Sequence, residues 1–207
     1  MGADWPVPLD PITLAGSYVS LDPLTLADVP RLTAIGSDAT IWTYLTSKAD
    51  AASEMSRYVA ELVEAWHAGS ALTFVISRRS DAAALGLTRL KEICRRHRRA
   101  TIGSWLAPAA WGTGANTEAK RLLLEYAFDR LRALRVEFQT DAENIRSRTA
   151  LARLGLREEG VLRRHQLRRD GSRRDTVIFS AIAEEWPAVR AAIDARLHAQ
   201  LEGWSNM

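Results

Sequence analysis

The chain has 207 residues, enough for one domain with a single hydrophobic core, since such cores serve up to about 250 residues before chains split. Its composition, 47% hydrophobic and 26% charged, is that of a folded globular protein and excludes fibrous and low-complexity classes. The net charge of +3 is uneven, because residues 1–94 carry 7 basic and 11 acidic side chains whereas residues 95–207 carry 21 and 14. The basic half suits an anionic ligand, and the acidic half would help to recruit a cationic amine.

Hydrophobic periodicity divides the first half of the chain into a strand, two helices and three strands. Residues 17–21 alternate as a strand does, and residues 25–36 and 51–67 place apolar side chains at the three-to-four spacing of helices. Three strand-like runs follow, over residues 71–77, 85–93 and 100–106. Joined by short polar links, these three runs predict an antiparallel meander.

The second half alternates helices and strands and then forms a hairpin. Its predicted elements are a helix over 117–131, a strand over 135–141, a helix over 144–154, strands over 160–169 and 172–182, and a helix over 187–204. Asp170-Gly171 separates the last two strands, and a two-residue Asp-Gly link is a strong hairpin signal. We therefore expect a single α+β domain over residues 1–207, with its core at about 14–186 and a C-terminal helix over 187–204.

Several classes of protein are disfavoured. No run approaches the roughly 18 apolar residues of a membrane span, and residues 1–11 lack the basic and apolar regions of a leader, so we expect a cytoplasmic protein without a membrane partner. Cys94 is the only cysteine, which excludes an internal disulfide and a cysteine-based zinc site, and no metal is expected. No zinc-finger or helix-turn-helix signature accompanies the arginines, so no specific nucleic acid is expected.

The segment Trp111-Gly112-Thr113-Gly114-Ala115-Asn116 stands between a predicted strand and a predicted helix. The first N–H groups of a helix have no partner within it, and such an end binds anions. Two glycines let the backbone adopt unusual dihedrals and let a phosphate approach closely. The pattern fits a pyrophosphate cradle, although a plain turn before a helix fits these six residues equally well.

The sequence here resembles the GNAT superfamily of N-acetyltransferases, in the branch around the RimJ and RimL ribosomal-protein N-terminal acetyltransferases. The resemblance covers about residues 14–186. It is carried by Ile102-Gly103-Ser104-Trp105-Leu106, by Trp111 to Ala119, by Asn144-Ile145-Arg146-Ser147, by Leu154-Gly155, by Glu158-Glu159-Gly160 and by the Asp170-Gly171 hairpin. It implies a mixed, mostly antiparallel central sheet with helices on both faces, and acetyl-CoA as co-substrate.

The resemblance also implies which residues bind the cofactor. The loop before the third helix would hold the CoA pyrophosphate, and the strand before it would pair with the pantetheine arm. The implied cofactor-binding residues are Trp105, Leu106, Trp111, Gly112, Thr113, Gly114, Ala115, Asn116, Thr117, Asn144, Arg148 and Arg153. The superfamily loop usually begins with Gln or Arg, where this chain has Trp111, and usually has Gly or Ala where this chain has Asn116.

The resemblance implies two catalytic roles. Ser147 would protonate the leaving CoA thiolate, while helix capping remains an alternative role for Asn144 and Ser147. A proton acceptor for the amine is less evident, because Thr101 and Gln166 stand where relatives place glutamates. Glu92 is the first candidate, ahead of His165, Glu137 and Asp175.

The acceptor is expected to be an α-amine, since its pKa of about 8 leaves an appreciable neutral fraction near pH 7. A ribosomal-protein N-terminus is one such acceptor. A detoxifying acetyltransferase for a small molecule or an aminoacyl compound is an alternative, as is a non-catalytic CoA-binding module. In the resembled fold the 41–69 helices and the 163–174 hairpin flank the acceptor cleft. The sequence leaves the oligomeric state undecided between a monomer and a homodimer.

Overall fold

A computed structural model describes residues 12–205 of the chain, and the side chains of residues 12–199. The strands are β1 (Leu14–Ala15), β2 (Val19–Pro23), β3 (Leu72–Arg78), β4 (Ala84–Cys94), β5 (Arg99–Leu106), β6 (Arg135–Asp141), β7 (Arg157–Leu167) and β8 (Arg173–Ile182). The helices are α1 (Val29–Gly36), α2 (Ala52–His67), α3 (Ala115–Glu125), α4 (Ile145–Arg153) and α5 (Trp186–Ser205). The expectation about a leader in residues 1–11 lies outside the described residues.

All eight strands form one sheet in the order β1-β2-β3-β4-β5-β6-β8-β7. Every neighbouring pair is antiparallel except β5 and β6, which run parallel. The expected antiparallel meander is therefore confirmed in β3, β4 and β5, and so is a mixed, mostly antiparallel sheet. The hairpin is confirmed as well, with Gly171 at a φ of +81° and the Asp170 carboxylate accepting the Ser172 N–H at 2.8 Å.

Helices cover both faces of the sheet, as expected. One hydrophobic cluster joins α3, α4 and α5 to one face through side chains such as Leu123, Leu151 and Ile193. A second, smaller cluster joins α1 and α2 to the other face through Leu32 and Met55. The sheet is thus buried on both sides along its centre, which fixes the register of its strands because a slip would expose the apolar side chains.

The central parallel pair comes apart halfway along its length. Arg99–Ile102 of β5 pair with Arg135–Phe138 of β6, but β5 continues through residues 103–106 without this partner. The rest of β6 pairs only with β8. The sheet therefore opens into a wedge between the ends of β5 and β6.

The third helix differs most from its expected bounds. It begins at Ala115 rather than Thr117, and a π-helical turn over Tyr126–Arg130 replaces its last turn. Glu118 fastens this helix to the other end of the sheet, because its carboxylate accepts the N–H groups of Ser17, Tyr18 and Val19 at 2.7, 2.8 and 2.6 Å.

The last helix begins at Trp186, one residue before the expected start. Val189, Ile193 and Leu197 form its buried stripe, and the side chain of Leu201 lies outside the described residues. Within residues 12–205, no helix combines the length and the hydropathy that crossing a membrane requires.

Candidate functional site

Two cavities meet where β5 leaves β6. The loop cavity lies beside the 111–116 segment and has a volume of about 190 Å³, and the sheet cavity lies on the face covered by α1 and α2 and has a volume of about 110 Å³. Leu45, Ser104 and Trp105 line both of them. A ligand that fills one cavity can therefore meet a ligand that fills the other at the open end of β5.

The structure brings together part of the predicted cofactor site. The loop cavity is lined by seven of the predicted residues, namely Trp105, Leu106, Trp111, Gly112, Asn116, Asn144 and Ser147. Six other predicted cofactor residues stand outside its lining, namely Thr113, Gly114, Ala115, Thr117, Arg148 and Arg153. Arg146, Tyr44 and Lys120 also line the cavity, and of these three only Lys120 was not singled out by the sequence.

The two glycines of the loop differ in what they contribute. Gly112 has a φ of +77°, in the left-handed region that favours glycine, and a Cβ placed there would have no atom within 4 Å. Gly114 has an ordinary helical φ of −65° and is the residue before the first turn of α3. Gly112 is therefore the glycine that shapes the loop and leaves it open to a ligand.

Thr113 organises the start of α3 from inside the loop. Its hydroxyl donates to the Ala110 carbonyl at 2.8 Å and accepts the Ala115 N–H at 3.2 Å. The N–H groups of Asn116 and Thr117 belong to the same first turn, where a helix offers them no internal partner. The role of Thr113 is thus to hold these donors in place beside the cavity.

Trp111 is the first residue of the loop, where the resemblance implies a Gln or an Arg. Its indole N–H donates to the Leu106 carbonyl at 2.9 Å, and the Arg146 guanidinium lies 3.4 Å above its ring centroid. This cation–π contact places a positive charge at the mouth of the loop cavity. The aromatic residue therefore positions a cation that comes from α4.

Lys120 places a second positive charge at this end of α3. Side chains on a helix lean towards its N-terminus, and the Lys120 ammonium donates to the Asn116 side-chain oxygen one turn earlier. Lys120 is buried, and no carboxylate of the described residues lies within 4 Å of its ammonium. Burial lowers the pKa of Lys120 to about 8.

The start of α4 forms the opposite wall of the loop cavity. The Asn144 side chain accepts the Ser147 N–H at 3.0 Å, so the helix-capping role expected for Asn144 is present. The Ser147 hydroxyl makes no hydrogen bond with the described residues. Arg148 donates to the Ala142 carbonyl at 3.3 Å, and Arg153 is exposed.

The sheet cavity is polar and basic. Tyr58 comes from α2 and Gln166 from the hairpin, the two regions expected to flank the acceptor. Arg89 and Lys91 come from β4, and Arg174 comes from β8. The lining contains no aspartate or glutamate among the described residues.

Glu92, the first candidate for proton acceptor, lies beside the sheet cavity rather than in its lining. Its carboxylate accepts hydrogen bonds from Lys91 at 2.5 Å, Thr101 at 2.8 Å and Gln139 at 3.2 Å, and these three residues do line the cavity. Partial burial raises its pKa, but the hydrogen bonds from Lys91 and Thr101 outweigh this and lower the pKa below its usual value. Glu92 is therefore a weak base.

The other three candidates lie outside both cavities. Glu137 is ion-paired with Arg135 at 2.9 Å, and Asp175 accepts the Arg164 N–H at 2.6 Å. His165 is exposed on the hairpin. Across the described residues, no three His, Cys, Asp or Glu side chains are grouped as metal ligands would be.

Comparison with known proteins identifies a family whose sequence model matches this chain. The model of a family described as an acetyltransferase (GNAT) domain matches residues 19–157. The chain is 35% identical over 106 residues to YdaF of Bacillus subtilis, which is provisionally named a ribosomal N-acetyltransferase. This alignment covers 51% of the chain and 57% of YdaF, so the chain spans little more than half the length of this relative.

Two solved structures are similar over nearly the whole fold. A GCN5-related N-acetyltransferase from Brucella melitensis is 29% identical, with a TM-score of 0.86 over 94% of this chain and 88% of that one. Mycobacterium smegmatis RimJ, solved in complex with CoA-disulfide, is 28% identical, with a TM-score of 0.76 over 90% of this chain and 92% of that one. The similarity thus extends from the family's sequence pattern to the arrangement of the sheet and helices.

Proposed function

The chain belongs to the GNAT acetyltransferase family, and from this premise we propose that it transfers the acetyl group of acetyl-CoA to an α-amine. The junction of the two cavities at Ser104 and Trp105, in the wedge between β5 and β6, carries the proposal. A cofactor in the loop cavity would have its reactive end at this junction, and an amine in the sheet cavity would reach the same point.

The residues of the loop cavity fit the phosphates of such a cofactor. The first turn of α3 offers N–H donors at the positive end of a helix dipole, which favours anions. Lys120 and Arg146 add two cations, and the first is buried without a carboxylate partner among the described residues. Gly112 leaves open space beside them. Together these groups provide the charge and the room that a pyrophosphate needs.

Acetyl-CoA supplies a thioester whose carbonyl the neutral amine attacks, forming the amide and breaking the C–S bond. Ser147 lines the cavity, and we assign to its hydroxyl the role of donating a proton to the leaving thiolate. We assign the amine's proton to Glu92, whose carboxylate accepts a hydrogen bond at 3.2 Å from Gln139 in the cavity lining. Because the pKa of Glu92 is lowered, this base suits an α-amine, with a pKa of about 8, better than a lysine side chain, with a pKa of about 10.4.

Replacing Gly112 by Asp should weaken acetyl-CoA binding about tenfold relative to replacing it by Asn, because the added carboxylate repels the phosphates. Asn and Asp have the same shape, and both tolerate a positive φ. The pair therefore separates charge from backbone strain. Calorimetric titration of each variant with acetyl-CoA gives the two dissociation constants.

The wild-type chain is the second reference in this experiment. If it does not bind acetyl-CoA, the proposed function is wrong. If it binds and the two variants bind equally well, then the loop around Gly112 is not where the phosphates lie.

Replacing Ser147 by Ala should lower kcat about tenfold and leave the affinity for acetyl-CoA nearly unchanged, as the loss of a general acid does. The effect is modest because a thiolate whose conjugate acid has a pKa near 8.5 leaves with little assistance. Release of CoA thiol with a peptide amine measures kcat. Ser56→Ala, on the exposed face of α2, is the matched control. Equal values of kcat in the two variants would show that Ser147 does not donate the proton.

The name of YdaF, a ribosomal N-acetyltransferase, favours a ribosomal acceptor, and the α-amine proposed here would then be a ribosomal-protein N-terminus. A panel of peptide amines and small amines, each tested with acetyl-CoA, distinguishes this acceptor from the small-molecule alternative. Turnover of small amines alone would favour a detoxifying enzyme. Tight binding of acetyl-CoA without CoA release over any amine would favour a non-catalytic CoA-binding module.

A further inference from the structure

The sheet cavity is lined by more cationic side chains than the nearby carboxylates neutralise. Arg89, Lys91 and Arg174 line it, and two carboxylates stand behind them, Glu92 and Asp141. Glu92 is bound by Lys91 at 2.5 Å. Neither Arg89 nor Arg174 has a hydrogen bond from its guanidinium to the described residues. The cavity therefore holds two arginines that lack close partners.

Arg174 is the most deeply placed of these cations. It is 6% exposed, and its Nε is buried without a hydrogen-bond partner. Its one ion pair among the described residues is with Asp141, at 3.9 Å, and both oxygens of that carboxylate accept hydrogen bonds from Arg168, at 2.7 and 3.0 Å. A buried charge with unfilled hydrogen-bonding capacity is costly, and an anion in the cavity would relieve that cost.

Arg89 reaches the same cavity from the middle of the sheet. It pairs with Thr73 on one side and with Gly103 on the other, so the three residues form one row across β3, β4 and β5. A Cβ placed on Gly103 would lie 3.8 Å from the Arg89 Nε and 3.5 Å from the Lys91 Cε, which puts both cations over this glycine. The Thr73 hydroxyl, in the same row, is buried without a hydrogen-bond partner.

We propose that the acceptor amine carries an anionic group, a carboxylate or a phosphate, which Arg89 and Arg174 bind in the sheet cavity. This inference rests on the proposed function and narrows its substrate class. It departs from the expectation that an acidic first half recruits a cationic amine, because Arg89 and Lys91 belong to that half and both face the cavity. Arginine suits either anion, since its planar guanidinium can donate two parallel hydrogen bonds.

The test uses four tetrapeptide amides with N-terminal serine that differ only at their second residue. Glutamate against glutamine tests a carboxylate, and phosphoserine against serine tests a phosphate. The kcat/KM with acetyl-CoA should be about tenfold higher for the anionic member of at least one pair, as expected for charge-assisted hydrogen bonds. The pair with the larger ratio identifies the anion.

Arg174→Gln and Arg89→Gln should each reduce this preference to nearly one. Arg173→Gln is the matched control, because Arg173 is the exposed neighbour of Arg174 on β8 and lines neither cavity. If the change at Arg174 impairs folding, Arg89→Gln still tests the inference, because the Arg89 guanidinium makes no hydrogen bond with the described residues.

The outcomes separate the inference from the function on which it rests. Equal turnover within both pairs, or a preference that survives both substitutions, overturns the anionic acceptor and leaves an N-acetyltransferase. Absence of CoA release with all four peptides and with the panel of small amines overturns the proposed function, and the inference with it.

Discussion

Replacing Glu118 by Gln is expected to lower the free energy of unfolding by about 3 kcal/mol and the melting temperature by roughly 10 °C. Glu118 is 5% exposed, and its carboxylate accepts three backbone N–H groups from the turn between β1 and β2. An amide has only one acceptor oxygen, so its NH2 group would face an N–H donor of that turn. Urea unfolding followed by circular dichroism measures the change.

Glu125→Gln is the matched control, because Glu125 lies on the same helix and makes its ion pairs, with Arg121 at 2.7 Å and Arg190 at 3.1 Å, near the surface. Such pairs contribute up to about 1 kcal/mol. If Glu118→Gln lowers the free energy of unfolding by no more than this control, the contact between α3 and the first turn of the sheet contributes no more to stability than a surface ion pair.

The role of Glu118 also marks a limit of prediction from sequence. Thr117-Glu118-Ala119 could be identified as part of a family pattern, but its hydrogen-bond partners lie about 100 residues earlier in the chain. Periodicity and capping describe interactions between near neighbours in sequence. They cannot indicate which distant backbone a buried carboxylate will bind.

Local chemistry predicted most of the fold. The strand over Arg135–Asp141 has the predicted bounds, and the hairpin at Asp170-Gly171 and the cap at Asn144 follow from side-chain hydrogen bonds within three residues. The two-residue strand β1 and the π-helical turn at Tyr126–Arg130 were missed. Neither has a periodic pattern of its own, because each exists only by contact with the rest of the sheet or helix.

The candidate site was predicted on its loop side more fully than on its acceptor side. Trp111 to Asn116 are contiguous, so a motif can reveal them. Arg174 is one of many arginines in the second half, and the register of β7 against β8 decides which of those on β7 share its face. That register shifts between Glu158 and Gly160 and again between Leu162 and Gln166, and each shift alters which face of the sheet the following side chains occupy.

The Lys120 side chain is expected to affect both the stability of the free protein and its affinity for acetyl-CoA. Its ammonium is desolvated and lies near the positive end of the α3 dipole, and both effects disfavour the charge in the free protein. In the unfolded chain its pKa returns to about 10.5. Below pH 8 the folded protein therefore bears the whole cost of the buried charge, and this cost fades as the pH rises through 8 towards 10.5.

Replacing Lys120 by Met should therefore raise the free energy of unfolding of the free protein by about 2 kcal/mol at pH 7, with a smaller gain near pH 10. The same change should weaken acetyl-CoA binding about 100-fold, because a buried cation that meets a phosphate is lost. Wild-type affinity should fall as the pH rises above 8, whereas the affinity of the variant should not. Urea unfolding and calorimetric titration at both pH values measure these effects.

Lys48→Met is the matched control, since Lys48 is paired with Asp50 at 2.8 Å and lies outside the loop cavity. It should change neither the affinity for acetyl-CoA nor its pH dependence. A Lys120→Met protein that is less stable than the wild type and binds acetyl-CoA equally well would make Lys120 a structural residue. In a site built for an anion, removing the buried charge should raise the stability of the free protein and lower its affinity for the ligand. The reason is that the charge which binds the ligand destabilises the protein when the ligand is absent.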